Sequence, residues 1–453
     1  MFLGGQLVAP AARAQSILRD AETEALLRDI AYPLKMAAGL DPRSVEIYLV
    51  GDPSINAFAT LGQRVFFHSG LLIAARDVNE VQGVMAHELG HVAAGHAIRW
   101  NEGAAPATAI TILSLVLGAA AMAAGAGDAG MAAILAGQQA AQAKFLAFNR
   151  DQESRTDQAA ARYLEAAGVT GKGMISFFEQ LQGNEYRLAI AQDNSYNRTH
   201  PLSGERIAAL ENVLKSSPYW NVRPDPALQA RYDRVRAKLI GYLYPLDTVK
   251  EAYPPSDRSD AAHIARAYGY HRAAFPEKAL AEIRTVLERL PNDPYVRELE
   301  GQILLESGQV TAALGPLRQA VELSGGDPLI GGMLGHALVA ASRDGADRET
   351  LAEAEAVLRS VVRRDTRNPF AWMQLGTIYE LRGDEPRAAL ATAERISVAG
   401  GDPRLAARAA SRAMAGLPRG TPDWLRAQDI AMASQGEIDR LGLKDGPQQA
   451  RRQ

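Results

Sequence analysis

Asp293-Pro294, Asp327-Pro328, Asn368-Pro369 and Asp402-Pro403 punctuate the second half of this chain at intervals of 34, 41 and 34 residues. A short polar side chain followed by proline is a helix start, because the polar group caps free N–H groups and proline has no N–H to lose at the first turn. A fixed interval between such starts therefore demands one supersecondary unit repeated along the chain. In the unit from Pro369, Trp372, Leu375, Gly376 and Tyr379 recur at helical spacing and Ala388 follows on a second helix. Gly301 with Ala313, and Gly335, hold equivalent offsets in the units from Pro294 and Pro328, and a unit from about Asp260 brings Tyr270 and Ala279 into phase. The 41-residue interval places seven extra residues within Ser342–Thr350. One such unit cannot bury its apolar face alone, so stacking into a solenoid is expected.

The pattern W-x2-L-G-x2-Y at 372–379 resembles the tetratricopeptide repeat. The resemblance implies an α-solenoid over 258–440 whose concave face binds peptide or protein, with a polar tail at 441–453. A purely scaffolding or dimerising array is the alternative.

The first half carries a different signal, His87-Glu88-Leu89-Gly90-His91. Residues four apart share a helical face, so both imidazoles can reach one ion, while Glu88, one step round, can address a water there. Val84, Met85, Ala86, Val92 and Ala93 flank the motif and predict a buried helix, where ionisable groups are costly unless they bind something. Two packed histidines would satisfy the same five residues, so a third ligand is needed. Lys144–Gly168 reads as a helix stopped by glycine, with Glu153 and Asp157 four apart on one face. Alone, such a pair is an ordinary solvated face.

HExxH followed about sixty residues later by a helical Glu-x-x-x-Asp resembles the gluzincin zinc metallopeptidases of membranes and periplasm, the family of the CAAX protease and the heat-shock membrane protease. The resemblance implies a mainly α chain: a zincin-like α+β metalloprotease domain with a small sheet, followed by the repeats. It implies one Zn²⁺ per chain held by His87, His91 and Glu153, Glu88 as the catalytic acid–base, and Asp157 orienting a ligand histidine through its other ring nitrogen. The family motif is commonly Glu-x-x-Ala-Asp, and Thr156 stands here in place of the alanine.

Two further segments extend the resemblance. Asn56–Ala59 and Gln63–Leu72 are similar to the family's strand pair before the zinc helix, implying that Val65, Phe66 and Phe67 form an edge strand that receives substrate. Thr199-His200-Pro201, with Arg206 shortly after, resembles the family's His-Pro segment and implies that His200 lies near the metal. There His200 would either contact the oxyanion or take a fourth ligand position as a latch. On a regular helix His96 points roughly 140° away from His91, which suits a supporting or structural role. His68, His263, His271 and His336 suggest no site.

A net charge of -3 and a pI near 6.3 give no basic field for nucleic acid, and the absence of cysteine excludes disulfides and thiolate zinc. Residues 1–15 end in Ala-x-Ala after an apolar run, like the remnant of a secretory signal. The metallopeptidase domain is expected over 16–245 and a proline-rich linker over 246–257. Within 104–140 the only charge is Asp128, which predicts an apolar flap or membrane-contact segment, long enough over 104–125 to cross a bilayer. The family's periplasmic branch implies an exported, periplasmic protein whose substrates are misassembled outer-membrane proteins, with the repeats docking client or β-barrel assembly machinery. A chaperone or assembly adaptor with a latched metal site, and an integral-membrane metalloprotease, are the competing readings.

Overall fold

The computed structural model describes residues 17–124, 126–187, 196, 200–343 and 348–443. The signal-like stretch 1–15, residues 344–347 of the repeat insertion and most of the polar tail lie outside the described residues. The chain divides into two compact units, 1–240 and 241–453.

The first unit opens with β1 (Ile17–Leu18), α1 (Ala21–Ala37), β2 (Glu46–Val50), β3 (Ala57–Thr60) and β4 (Arg64–His68). The sheet order is β1-β2-β4-β3, with β4 parallel to β2 and antiparallel to β3. Gly62 (φ 81°) and Gln63 (φ 56°) supply the left-handed backbone that folds β3 back onto β4. Alternation along β4 sends Val65 and Phe67 into the core and Phe66 to the other face, where it stacks between Tyr48 and Phe58 at 5.2 and 5.1 Å. This corrects the expectation for Val65, Phe66 and Phe67. They lie in an interior strand whose two backbone edges are taken by β2 and β3, and β3 is the edge strand beside them.

Beneath the sheet run α2 (Ser69–Ala74) and α3 (Val78–Ala93). Asp77 caps α3 by accepting from the Glu80 N–H, and the helix is buried from Val78 to Gly90. Two glycines let neighbours approach α3 closely. A Cβ on Gly83 would lie 2.6 Å from Met174 Cα, and one on Gly90 would lie 2.8 Å from Thr156 Cγ2. Next come α4 (His96–Ala123) and α5 (Gly127–Ala166), the latter 40 residues long and ended at Gly168 (φ 70°). They pack antiparallel through small residues, Gly118 on Gly130 and Ser114 on Gly137. Alpha-6 (Lys172–Arg187), α7 (Gly204–Lys215) and α8 (Pro226–Leu243) follow. The α1 cap Asp20 accepts from Thr23 N–H and from Lys238 of α8.

In the second unit the expected linker is partly helical. Leu246–Ala252 forms a helix because Leu246 and Val249 pack against Gly269, where a Cβ would stand 3.1 and 3.3 Å from them. Among the described residues five helix pairs then follow, beginning at Asp260, Pro294, Pro328, Pro369 and Pro403, so the α-solenoid is present. Their A and B helices interlock at small residues, as a Cβ on Gly301 or Gly335 would strike Leu317 or Leu358. The turn inside three pairs places a left-handed residue at the same offset: Ala274 (φ 61°), Gly308 (φ 80°) and Gly383 (φ 69°).

Candidate metal centre

Three elements meet at one buried point. Alpha-3 presents His87 and His91 on one face, α5 presents Glu153, and the segment before α7 presents His200. The His87 and His91 Nε2 atoms are 3.1 Å apart. Glu153 Oε2 lies 3.3 Å from His87 Nε2, and Oε1 lies 3.4 Å from His91 Nε2. His200 Nδ1 is 3.0 Å from Glu153 Oε1 and 3.4 Å from His87 Nε2. One ligand atom from each of the four residues falls within 4.8 Å of the others.

Behind this group the side chains are held by partners. Asp157 Oδ1 is 3.0 Å from His87 Nδ1, so the carboxylate sits on the ring nitrogen that faces away from the cluster. Arg206 forks onto both oxygens of Asp157, lies 2.9 Å from Glu153 Oε2, and donates to the Pro201 carbonyl. One guanidinium thus ties the His-Pro segment to α5. The sequence offered Arg206 only as part of a resemblance; its ion pairs come from tertiary folding.

Burial and charge set the protonation states. Burial would lower His87, but Asp157 and Glu153 outweigh it and hold the imidazole up to about 9. Burial pushes His91 down to about 3, with His87 and His200 adding to the effect and Glu153 opposing it. Glu153 is held well below the ordinary carboxylate value, since His200, His87 and His91 overcome its desolvation. Asp157 is likewise lowered against its burial, by Arg206 and His87. Glu88 goes the other way. Its burial raises it, opposed by His200 and His87.

These residues fit a metal such as zinc. The donors are imidazole nitrogens and a carboxylate, the set zinc takes at catalytic centres. Glu153 and Asp157 share a single guanidinium, so two carboxylates face one fixed cation beside the imidazoles. Buried Glu88 has no hydrogen-bond partner for either oxygen among the described residues, and neither does His200 Nε2, 3.6 Å from Glu88 Oε1. Unpartnered buried groups of this kind are costly unless something else engages them.

Other histidines separate from the cluster. His68 is buried against Ser54, His263 pairs with Glu282, His271 with Glu306 and His336 with Gln374. His96 differs from the expectation of a ring rotated away from His91. Alpha-3 stops at Ala93, Gly95 adopts φ 65°, and His96 begins the next helix with its Nδ1 2.8 Å from His91 Nδ1. Gly95 was the sequence signal that the helix is not continuous. Tyr196, which no pattern singled out, lays its ring 4.7 Å from that of His200.

Residues 18–214 match the model of peptidase family M48. The beta-barrel assembly-enhancing protease of Yersinia pestis is 26% identical over 295 residues, covering 62% of this chain and 58% of that protein. A Vibrio cholerae protein assigned the same name is 29% identical over 233 residues, covering 51% of this chain and 47% of its own. The chain thus spans about half the length of the curated relatives it matches. A thermophilic TPR protein of Thermus thermophilus, known from its crystal structure, aligns with 38% of this chain and 100% of its own at 19% identity and a TM-score of 0.28.

Proposed function

With a peptidase family M48 domain as premise, we propose that this chain is a zinc-dependent endopeptidase of envelope protein quality control. The observation that carries the reading is Glu88, buried and without a hydrogen-bond partner among the described residues, beside a group of four metal-competent donors. His87, His91 and Glu153 would hold Zn²⁺. When bound, zinc supplies Lewis-acid polarisation of a scissile carbonyl and makes water acidic enough to attack at neutral pH. Glu88, raised by burial, takes a proton from the attacking water and delivers it to the leaving amine. Asp157 fixes the His87 ring, and Arg206 keeps Glu153 and Asp157 in place.

His200 supports a second layer of the proposal. It sits inside the donor group with its Nε2 3.6 Å from Glu88 Oε1, between the ligands and the proposed acid–base. We read it as a latch on a competent centre, with the adaptor-like state as its closed form. The names of the relatives, beta-barrel assembly-enhancing proteases, support clients that are β-barrel proteins under assembly, and the repeats are the part of this chain that would bind them. The α4–α5 hairpin supports a site of action at a lipid surface. Ile112, Leu113, Leu115, Val116 and Leu117 are all exposed, around most of the circumference of a helix long and apolar enough to cross a membrane.

The test is metal analysis of the purified chain with cleavage of an unfolded outer-membrane protein. One zinc per chain, and cleavage lost to chelator and regained with zinc, are expected; a protein that binds no stoichiometric metal contradicts the reading. For the hairpin, flotation with phosphatidylethanolamine–phosphatidylglycerol vesicles should carry the wild type and lose a Leu113→Asp, Val116→Asp variant. Equal flotation of both removes lipid contact through α4.

A further inference from the structure

His87 and His91 are equivalent in the sequence motif but stand on different supports. Behind His87 is the carboxylate of Asp157. Behind His91 there is no carboxylate among the described residues, and its Nδ1 faces the Nδ1 of His96 at 2.8 Å, with the two rings edge to face at 4.9 Å. This contact depends on the break in the chain. Gly95 takes a left-handed backbone, with nothing within 4 Å of the place a Cβ would occupy, and turns His96 back under the α3 terminus. His96 is only 9% exposed there.

We propose that His96 is the positioning residue for His91, a neutral hydrogen-bond acceptor that fixes the tautomer and plane of this ligand. The proposal rests on the metallopeptidase reading. The chemistry follows from the proton count on two rings. His91 Nε2 points into the donor group, 3.1 Å from His87 Nε2, so as a ligand it must be bare and the ring proton must sit on Nδ1. That proton needs an acceptor, and among the described residues His96 Nδ1 is the one in reach, which places the proton of His96 on its own Nε2. Thr156 completes the arrangement. Its hydroxyl donates to the Gln152 carbonyl at 2.8 Å, so its proton does not compete for His96 Nδ1, 3.4 Å from Thr156 Oγ1. A Cβ on Gly90 would come within 2.8 Å of its methyl, so Thr156 reaches both the motif helix and the supporting ring. Thr156 is therefore part of the wall beside His96.

The two ligands consequently differ in strength. A carboxylate behind His87 increases that ring's basicity, whereas a neutral imidazole behind His91 orients the ring with less electron donation. Removing the acceptor leaves the partly buried His91 N–H without this partner and the ligand freer to rotate.

The experiment compares zinc affinity, by chelator competition on the full chain, and the visible spectrum of the cobalt(II)-loaded protein, for wild type, His96→Phe and His96→Asn. Phenylalanine keeps a ring and removes the acceptor; asparagine returns a carbonyl oxygen near the Nδ1 position. His96→Phe should bind zinc about 10–100-fold more weakly with a shifted cobalt spectrum, and His96→Asn should recover most of the affinity. A His96→Phe protein with wild-type zinc affinity and spectrum overturns the role of His96. So does equal loss in both variants, which would mean that the ring is needed only for packing. A wild-type chain without stoichiometric zinc overturns the metallopeptidase reading together with this one. Far-ultraviolet circular dichroism of each variant separates these results from unfolding.

Discussion

Asp157 Oδ1 lies 3.0 Å from His87 Nδ1, and the same carboxylate is gripped through both oxygens by Arg206. The pair joins the motif helix to α5, with its charge satisfied on both sides. Replacing Asp157 with Asn leaves Arg206 buried beside an uncharged amide and weakens the orientation of His87. Zinc affinity should fall about 10–100-fold. Thermal unfolding should show a destabilisation smaller than the roughly 3–5 kcal/mol of a buried charge left wholly unpaired, because Arg206 keeps Glu153 as a partner. Unchanged affinity would show that the carboxylate does not orient the ligand.

His200 shares the donor group and faces Glu88 at 3.6 Å. If it is a latch, His200→Ala keeps one zinc per chain and increases the rate of cleavage of an unfolded outer-membrane protein. A large loss of cleavage would instead make His200 an oxyanion contact, and no change would remove it from the site. Cleavage rate at constant zinc content is the measurement.

Ala274 holds φ 61° at the turn where the equivalent residues of two other repeats are Gly308 and Gly383. The turn is closed by Ala274 N–H to His271 O and Phe275 N–H to Tyr270 O, so the left-handed conformation is built in. A Cβ there costs roughly 1–2 kcal/mol, offset in part by glycine's greater entropy loss. Ala274→Gly should stabilise the repeat unit by about 0.5–1 kcal/mol, read from the urea midpoint of its unfolding transition. A lower midpoint would contradict the strain argument.

Asp20 caps α1 and meets Lys238 at 2.9 Å. Burial raises its carboxyl, but Lys238 and the Thr23 hydrogen bonds outweigh this and hold it below the ordinary 3.8. A group lowered in the folded state binds its proton more weakly there than in the unfolded chain. Its stabilisation is therefore complete above the unfolded value and is lost as pH falls through the folded value. Asp20→Asn should be less stable than wild type by about 1.5–3 kcal/mol at pH 7, with the gap closing below about pH 4. Denaturant titrations across that range test it, and a gap independent of pH would rule out the charge as its source.

Legibility in the sequence followed the range of the interactions. His87 and His91 meet because of helical periodicity, and the repeat starts are local capping signals, so both could be read from the chain directly. Glu153 and Asp157 lie on one helix face by the same logic, but their meeting with α3 is a tertiary fact that only resemblance suggested. Strand order was not legible. Val65–Phe67 have strand character, yet nothing local says that β2 lies on one side and β3 on the other. The His96 contact was hidden by the assumption of an unbroken helix, which the left-handed Gly95 interrupts.

Glu88 gives the most direct test of the central claim. It is buried beside the donor group with no hydrogen-bond partner among the described residues, and Gln preserves its shape while removing its ability to exchange a proton. Zinc content and cleavage of an unfolded outer-membrane protein should be measured together on purified wild type and Glu88→Gln. The account expects one zinc per chain in both proteins and a fall in cleavage by Glu88→Gln of at least about 10²–10⁴-fold. A Glu88→Gln protein that keeps its zinc and cleaves at the wild-type rate would contradict it.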